Sequence, residues 1–185
     1  MQYKILIAGT GGQGVLLAGK LLSLAALIDH WETTWFPAYG AEMRSGVAHC
    51  LVIISDQFIG SPISKMYDAV IAMNSQSCEA YLHRIVPGGI MLVDSDLVTN
   101  VPQHNDISIL ALPALRISAG LGSQRSANIL LAGALAGKVG RPSLAAMKEA
   151  LGQIGSHQNP QIFQINNAAL EKGFTHYVDQ KSQAC

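Results

Sequence analysis

Short apolar runs alternate with longer segments of helical periodicity along most of the chain, which predicts alternating strands and helices. The run Val70-Ile71-Ala72-Met73 is apolar throughout, as expected for a central strand covered on both faces. The predicted strands are Tyr3–Ala8, Thr33–Phe36, Ala48–Ile54, Ala69–Met73, Ile90–Val93 and Ile107–Leu112. The predicted helices are Gly14–Leu27, Ser75–His83, Ser126–Val139, Ser143–Ile154 and a last one that starts at Asn159-Pro160 and ends before Gly173.

This alternation predicts an α/β fold, a three-layer, mostly parallel, Rossmann-like sheet with helices on both faces. We expect residues 1–177 to form a single domain and residues 178–185 a polar C-terminal tail. The stretch before the third strand is too short for a helical crossover, which favours antiparallel pairing of that strand with a neighbour.

The first strand runs into a glycine-rich loop that opens a helix, and the glycines at 9, 11 and 14 match the pattern G-x-G-x-x-G. Such a loop lets the backbone approach an anion at a helix N-terminus, or it only closes the packing of strand on helix. In either case we expect Gly11→Val to damage the loop by a steric clash. The candidates for binding a phosphate are Gly9, Gly11, Gly12, Gln13 and Gly14.

The acidic residue that a dinucleotide fold places at the end of its second strand is missing. Asp29 and Glu32 lie near the expected spacing, but both precede the strand. The missing acid argues against a free-standing Rossmann-like module that binds a nucleotide or a flavin. Such a module remains the alternative interpretation.

A second loop follows instead, with the sequence Tyr39-Gly40-Ala41-Glu42-Met43-Arg44-Ser45-Gly46. Together with the glycine loop, Ile54-Ser55-Asp56 and Ser61-Pro62, it resembles the gamma subunit of the 2-oxoacid:ferredoxin oxidoreductases. That family usually has a glycine where this chain has Ser45. The resemblance implies that the loop contacts a partner subunit or covers the active site, and its candidate residues are Tyr39, Gly40, Glu42, Arg44 and Gly46.

The resemblance also implies a set of cofactors and partner subunits. Thiamine diphosphate, Mg²⁺ and iron–sulfur clusters would be held by alpha, beta and delta subunits, with coenzyme A as co-substrate and ferredoxin as electron acceptor. The version of the second loop is most similar to those of 2-oxoglutarate and branched-chain members, and we expect 2-oxoglutarate. No catalytic residue is expected on this chain. Asp94 and Asp96 have the pattern of a strand-end turn and a helix cap rather than of an acid–base pair.

A second glycine-rich entry to a helix spans residues 120–128. It could lie beside the first loop at the carboxyl ends of the strands, where open α/β sheets bind their ligands. Arg125 and Asn128 are then candidates for contact with an anion or a partner. The alternative is that Ser123 or Ser126 merely caps the helix.

Composition narrows the function classes. The net charge is zero, which gives no electrostatic basis for binding nucleic acid or an anionic membrane. No apolar run approaches the length of a membrane span, so we expect a cytoplasmic protein. The three cysteines include no C-x-x-C pair and the six histidines show no metal-ligand spacing, so no metal site is expected.

Charged residues make up only 13% of the chain, which either reflects a core rich in small residues or a surface covered by partner chains. Gly133 and Gly137 pose the same choice locally, since they lie one turn apart on an apolar helix. Their face either packs tightly inside the domain or forms a seam between subunits.

Overall fold

The computed structural model describes residues 1–38, 47–155 and 159–177. Their strands form one six-stranded sheet in the order β2-β3-β1-β4-β5-β6. The strands are β1 (Gln2–Thr10), β2 (Glu32–Ala38), β3 (Val47–Ser55), β4 (Tyr67–Ala72), β5 (Ile85–Asp94) and β6 (Ser108–Leu112). The α-helices are α1 (Val15–Ile28), α2 (Ser75–Tyr81), α3 (Ala114–Gly120), α4 (Ala127–Val139), α5 (Leu144–Gly155) and α6 (Pro160–His176).

The sheet is mixed, with one strand reversed. The pairs β1–β4, β4–β5 and β5–β6 are parallel, whereas β3 runs antiparallel to both β1 and β2. The antiparallel pairing that the short connection predicts is therefore confirmed. As a result, the carboxyl ends of five strands and the amino end of β3 share one edge, where Thr10 pairs with Val47.

The two faces of the sheet are covered unequally. Alternate residues of β1 point to opposite sides, so Ile5 and Ile7 join the larger hydrophobic core with α1, α3, α4, α5 and α6. Leu6 and Ala8 join a smaller core, which is covered by α2. The predicted three-layer α/β fold is confirmed. Within the described ranges no helix is long and apolar enough to cross a membrane.

Helix α4 packs against α6 through glycines on both helices. A Cβ atom at Gly133 would lie 2.5 Å from the carbonyl oxygen of Leu170, and one at Gly137 would collide with the carbonyl of Phe174. On α6, a Cβ at Gly173 would collide with the carbonyl of Leu130. The face of Gly133 and Gly137 is thus filled from within the chain, and the expected alternative of a subunit seam there is wrong.

The structure differs from the predicted elements at two helix ends and contains one helix, α3, that the sequence pattern does not predict. The last helix does not end before Gly173 but continues to His176. Gly173 is not a C-cap, because it lies inside the helix and packs against Leu130 of α4. The second helix is α-helical only to Tyr81 and ends in a 3₁₀ turn. Helix α3 was not predicted at all. Its N-terminus has no local side-chain cap and is capped by Asp94, which lies 20 positions earlier.

Candidate functional site at the glycine-loop edge of the sheet

The glycine loop connects β1 to α1 at the edge where the parallel strands end. Gly12 (φ 88°) and Gly14 (φ 76°) adopt left-handed backbone conformations that favour glycine. Gly14 is the N-cap of α1, and no side chain caps it. The first turn of α1 contains no acidic residue, so its free N–H groups and the helix dipole favour an anion.

Gln13 fastens the loop to the end of β4. Its Oε1 accepts from the backbone N–H of Thr10 at 2.7 Å and from Nδ2 of Asn74 at 3.2 Å. Its Nε2 donates to the carbonyl of Met73 at 3.1 Å. The amide of Gln13 is therefore engaged inside the protein, where it fixes the position of the loop. Asn74 also caps α2, because its Oδ1 accepts from the N–H of Ser77 at 2.7 Å.

The three glycines of the pattern differ in what surrounds them. A Cβ at Gly9 would lie 2.6 Å from Oε1 of Gln13 and 3.1 Å from Cβ of Met73. A Cβ at Gly11 meets no atom within 4 Å among the described residues. The expectation that Gly11→Val clashes with strand–helix packing is therefore wrong, because the close approach occurs at Gly9.

The second glycine-rich segment lies against the first, as one interpretation of the sequence expects. Nδ2 of Asn128, in the first turn of α4, donates to the carbonyl of Gly14 at 3.0 Å. Ser123 accepts from the N–H of Arg125 at 3.3 Å and so caps the 3₁₀ turn before α4. The hydroxyl of Ser126 instead donates to Asn166 of α6 at 2.7 Å and caps nothing. The capping interpretation thus holds for Ser123 and fails for Ser126.

A cavity of about 210 Å³ lies between these two segments. Four of the predicted site residues line it, namely Gly12, Gln13, Arg125 and Asn128. Its apolar walls come from Met73, Leu97, Leu115 and Leu131. Arg125 is exposed at the cavity, whereas Asn128 is only 2% exposed. The structure therefore brings a cation and a buried amide together at one cavity, which is here called the α4 cavity.

Asp94 also lines the α4 cavity, and the residue is 2% exposed. Burial raises the pKa of this carboxyl, against the opposing effect of backbone N–H donors. Its Oδ1 accepts from Asp96 N–H and from Ala114 N–H, both at 3.1 Å. Asp96 in turn binds Arg116, with Nε at 2.6 Å. The prediction of a strand-end turn and a helix cap is confirmed, but the place of Asp94 in a cavity wall was not foreseen.

A second cavity, of about 400 Å³, lies on the other side of the loop. It is lined by Gly11, Gly12, Gly14 and the first turn of α1, and by Ala38 and Ala48. The candidate residues Tyr39, Gly40, Glu42, Arg44 and Gly46 lie outside the described residues. Ala38 and Ala48, which are described and lie on either side of these candidates in sequence, line the same cavity as the glycine loop.

The acidic residue at dinucleotide spacing is used elsewhere in the fold. Asp29 accepts from the N–H of Ser143 at 2.5 Å and from its hydroxyl at 2.8 Å. This contact joins the end of α1 to the start of α5, away from the carboxyl ends of the strands. Asp29 is thus unavailable as a ribose acceptor, which weakens the alternative of a dinucleotide-binding module.

Among the described residues no group of three histidine, cysteine, aspartate or glutamate side chains could hold a metal ion. Cys50 and Cys78 are buried free thiols. Burial raises the pKa of the Cys50 thiol to about 12 and also raises that of Cys78. Both thiols therefore stay protonated near neutral pH and are poor nucleophiles.

The model of the family described as pyruvate ferredoxin/flavodoxin oxidoreductase matches residues 4–176. The chain belongs to this family. Ketoisovalerate oxidoreductase subunit VorA of Methanothermobacter thermautotrophicus is 37% identical over 134 residues, which are 72% of this chain and 28% of that one. The chain thus spans under a third of that relative.

Two further relatives match the chain along most of their own length. The 2-oxoglutarate synthase subunit KorC of Methanothermobacter marburgensis is 35% identical over 158 residues, covering 82% of this chain and 85% of that one. The crystal structure of a keto/oxoacid ferredoxin oxidoreductase gamma subunit from Geobacter sulfurreducens superposes with a TM-score of 0.80 at 31% identity, covering 94% of this chain and 96% of that chain. The resemblance deduced from the glycine loop and the Tyr39–Gly46 motif is confirmed at the level of the oxidoreductase family.

Proposed function

We propose that this chain is the gamma subunit of a multi-subunit 2-oxoacid:ferredoxin oxidoreductase that converts 2-oxoglutarate and coenzyme A to the acyl-CoA. The observation that carries the proposal is the match to a 2-oxoglutarate synthase subunit over 85% of that subunit's length. Ketoisovalerate is the competing substrate, because VorA is also similar to this chain over the region that they share.

Within this complex the chain contacts coenzyme A and does not perform the decarboxylation. Two features of the described residues support this division. The glycine-loop edge offers groups that bind an anion, namely the uncapped start of α1 and the exposed guanidinium of Arg125. No described group at this edge combines a nucleophile with a base. Thiamine diphosphate, Mg²⁺ and the iron–sulfur clusters then belong to the alpha, beta and delta subunits, and ferredoxin accepts the electrons.

The loop of residues 39–46 covers the thiamine site or holds the neighbouring subunit in this proposal. Its described ends support this role, because Ala38 and Ala48 lie at the same cavity as the glycine loop. Arg44 supplies a planar guanidinium for a carboxylate of the partner. We expect Arg44→Ala to weaken assembly or acyl transfer while the melting temperature of the isolated chain stays unchanged. An assembled Arg44→Ala enzyme with unchanged activity would contradict this role.

The first experiment is an affinity purification of the chain from its native cells, followed by mass spectrometry and an assay of the eluate. The assay follows reduction of a viologen dye that depends on coenzyme A and on each of several 2-oxoacids. Co-elution of thiamine and iron–sulfur subunits, with 2-oxoglutarate as the preferred substrate, would support the proposal. Preference for a branched-chain 2-oxoacid would refute the substrate, and a chain that elutes alone with a nucleotide or flavin would favour the free-standing module.

Variants of the glycine loop test the contact with coenzyme A in the same complex. Since no atom of the described residues lies within 4 Å of a Cβ at Gly11, Gly11→Val should leave the chain folded and assembled but raise the KM for coenzyme A. Arg125→Ala should do the same, and Arg84→Ala is its matched control. Arg84 lies before the amino end of β5, stacked on Tyr81 at 5.6 Å, so its loss should leave that KM unchanged.

A further inference from the structure

Asn74, which follows β4, contacts two different elements through the two polar atoms of its side-chain amide. Its Oδ1 accepts from the N–H of Ser77 at 2.7 Å and caps α2. Because a backbone N–H can only donate, this contact fixes the orientation of the amide and turns Nδ2 toward Gln13. Nδ2 then donates to Oε1 of Gln13 at 3.2 Å. Asn74 therefore holds α2 with one atom and the glycine loop with the other.

The amide of Gln13 has its orientation fixed in the same way. The carbonyl of Met73, 3.1 Å from Nε2, can only accept, and the N–H of Thr10, 2.7 Å from Oε1, can only donate. The backbone N–H of Gln13 also donates to the carbonyl of Thr10 at 3.2 Å, so side chain and backbone close the same turn. Asn74 supplies a second donor to Oε1, and it therefore supports the atom that closes the turn.

Asn74 is half-buried and lies behind the loop rather than at its surface. It is not among the residues that line either cavity at the loop, whereas Gln13 lines the α4 cavity. Its contacts also join the two faces of the sheet, since α2 covers the smaller core and the loop opens α1, which packs on the larger one. A ligand at the loop would therefore touch residues that Asn74 holds in place, and not Asn74 itself.

We propose that Asn74 is a positioning residue for the glycine loop and that it acts through the side-chain amide of Gln13. Its Nδ2 keeps Oε1 of Gln13 on the N–H of Thr10, and this contact holds the backbone of residues 10–13 in the conformation that receives an anion. The inference rests on the proposed function, in which that anion belongs to coenzyme A. It adds a residue that sets the affinity of the loop without touching the ligand.

Asn74→Ser separates this role from the capping of α2. Serine is as good an N-cap as asparagine, but it is shorter and lacks the amide that donates to Gln13. In the assembled enzyme the KM for coenzyme A should rise about three- to tenfold, as for the loss of one neutral hydrogen bond, while kcat stays unchanged. Asn159→Ser is the matched control, since Asn159 caps α6 through the N–H of Gln161 at 2.8 Å and lines neither cavity. An unchanged KM in Asn74→Ser, or an equal rise in Asn159→Ser, would overturn the inference.

A double-mutant cycle with Gln13→Ala shows whether Asn74 acts through Gln13. Gln13→Ala alone removes the acceptor of the Thr10 N–H, so it should raise the KM for coenzyme A by more than Asn74→Ser does. In a chain that carries Gln13→Ala, adding Asn74→Ser should raise the KM no further. Additive increases would overturn the inference, because Asn74 would then act by a route that does not include Gln13.

Hydrogen exchange of the Thr10 amide, followed by NMR in the purified full chain, separates this inference from the proposed function. The amide should exchange about three- to tenfold faster in Asn74→Ser than in the natural chain, whereas Asn159→Ser should leave the rate unchanged. Faster exchange in a chain that purifies without oxidoreductase subunits would retain the inference and refute the proposed function. An active 2-oxoglutarate enzyme whose Asn74→Ser chain shows unchanged exchange would do the opposite.

Discussion

Asn128 and Gly14 are 114 positions apart in sequence and are joined by a hydrogen bond of 3.0 Å from the side-chain amide to the backbone carbonyl. A Cβ atom on Gly14 would collide with the same amide, and its φ of 76° disfavours any other residue. The contact connects the start of α1 to the start of α4. Two segments that are distant in sequence therefore meet at the glycine-loop edge of the sheet.

Gly14→Ala tests this close contact. We expect it to lower the free energy of unfolding by about 1 kcal/mol for the left-handed backbone and by about 1–3 kcal/mol more for displacing Asn128. Gly140→Ala is the matched control, since Gly140 has a φ of 80° but no atom of the described chain lies within 4 Å of its Cβ position. Urea denaturation of both variants isolates the contribution of the contact. Equal losses in the two would contradict it.

Alanine substitutions at Gly137 of α4 and Gly152 of α5 should change the stability of the chain in opposite directions. Gly137→Ala should destabilise the chain by about 2 kcal/mol or more, because the new methyl group collides with the carbonyl of Phe174. Gly152→Ala should stabilise it by about 0.5–1 kcal/mol, because among the described residues the nearest atom to the new Cβ is Cζ of Phe163 at 4.0 Å. Thermal unfolding measures both. A stable Gly137→Ala chain would mean that the two helices can move apart.

Asp29 provides a test against a role in nucleotide binding. Asp29→Ala should cost about 1–2 kcal/mol of unfolding free energy, because Ser143 loses the acceptor for its N–H and hydroxyl groups. It should leave the affinity for coenzyme A unchanged, and neither this variant nor the natural chain should bind NAD. Glu32→Ala, at an exposed position near Asp29 in sequence, should change neither property. A loss of NAD binding in Asp29→Ala alone would restore the dinucleotide interpretation.

Asp94 predicts a pH dependence whose sign follows from its raised pKa. The folded state binds the proton of this carboxyl more tightly than the unfolded state does. The carboxyl therefore lowers stability as pH rises from the unfolded pKa, about 4, through the folded pKa. The stability of Asp94→Asn relative to the natural chain should increase across this pH window and level off above it. Melting temperatures between pH 3 and pH 8 measure the difference.

Asp56→Asn is the control of opposite sign. The hydrogen bond from the N-terminal ammonium lowers the pKa of Asp56, so its contribution is present above the unfolded pKa and is lost as pH falls through the folded pKa. A pH-independent difference between Asp94→Asn and the natural chain would show that the pKa of Asp94 is not raised.

The sequence predicts those parts of this molecule that depend on local patterns. Apolar periodicity located all six strands, and the short connection before Ala48 indicated the reversed one. The sequence pattern does not predict helix α3, because its cap, Asp94, lies at the end of β5. Local signals cannot show a cap that lies 20 residues away. The end of α6 was wrong for a similar reason, since only the packing on Leu130 shows that Gly173 is an interior residue.

The candidate site was predicted in part. The glycine pattern and the second glycine-rich segment identified residues that do meet, but the pattern could not rank the glycines. Neighbouring atoms leave no room for a Cβ at Gly9 and Gly14, whereas no described atom lies within 4 Å of a Cβ at Gly11. Asp94 and the leucines of the α4 cavity were missed as site residues because single residues from three elements and a turn carry no periodic or spaced signal.

The reversed strand β3 changes how mutations at the glycine-loop edge should interact. In a wholly parallel sheet, the chain after β2 would have to cross a face of the sheet before the next strand could begin. Here Ala38 ends β2 and Val47 begins β3 beside Thr10, so both described neighbours of residues 39–46 lie at the edge that carries the glycine loop. Substitutions in residues 39–46 and in the glycine loop should therefore show non-additive effects on function, even though about thirty residues separate them in sequence.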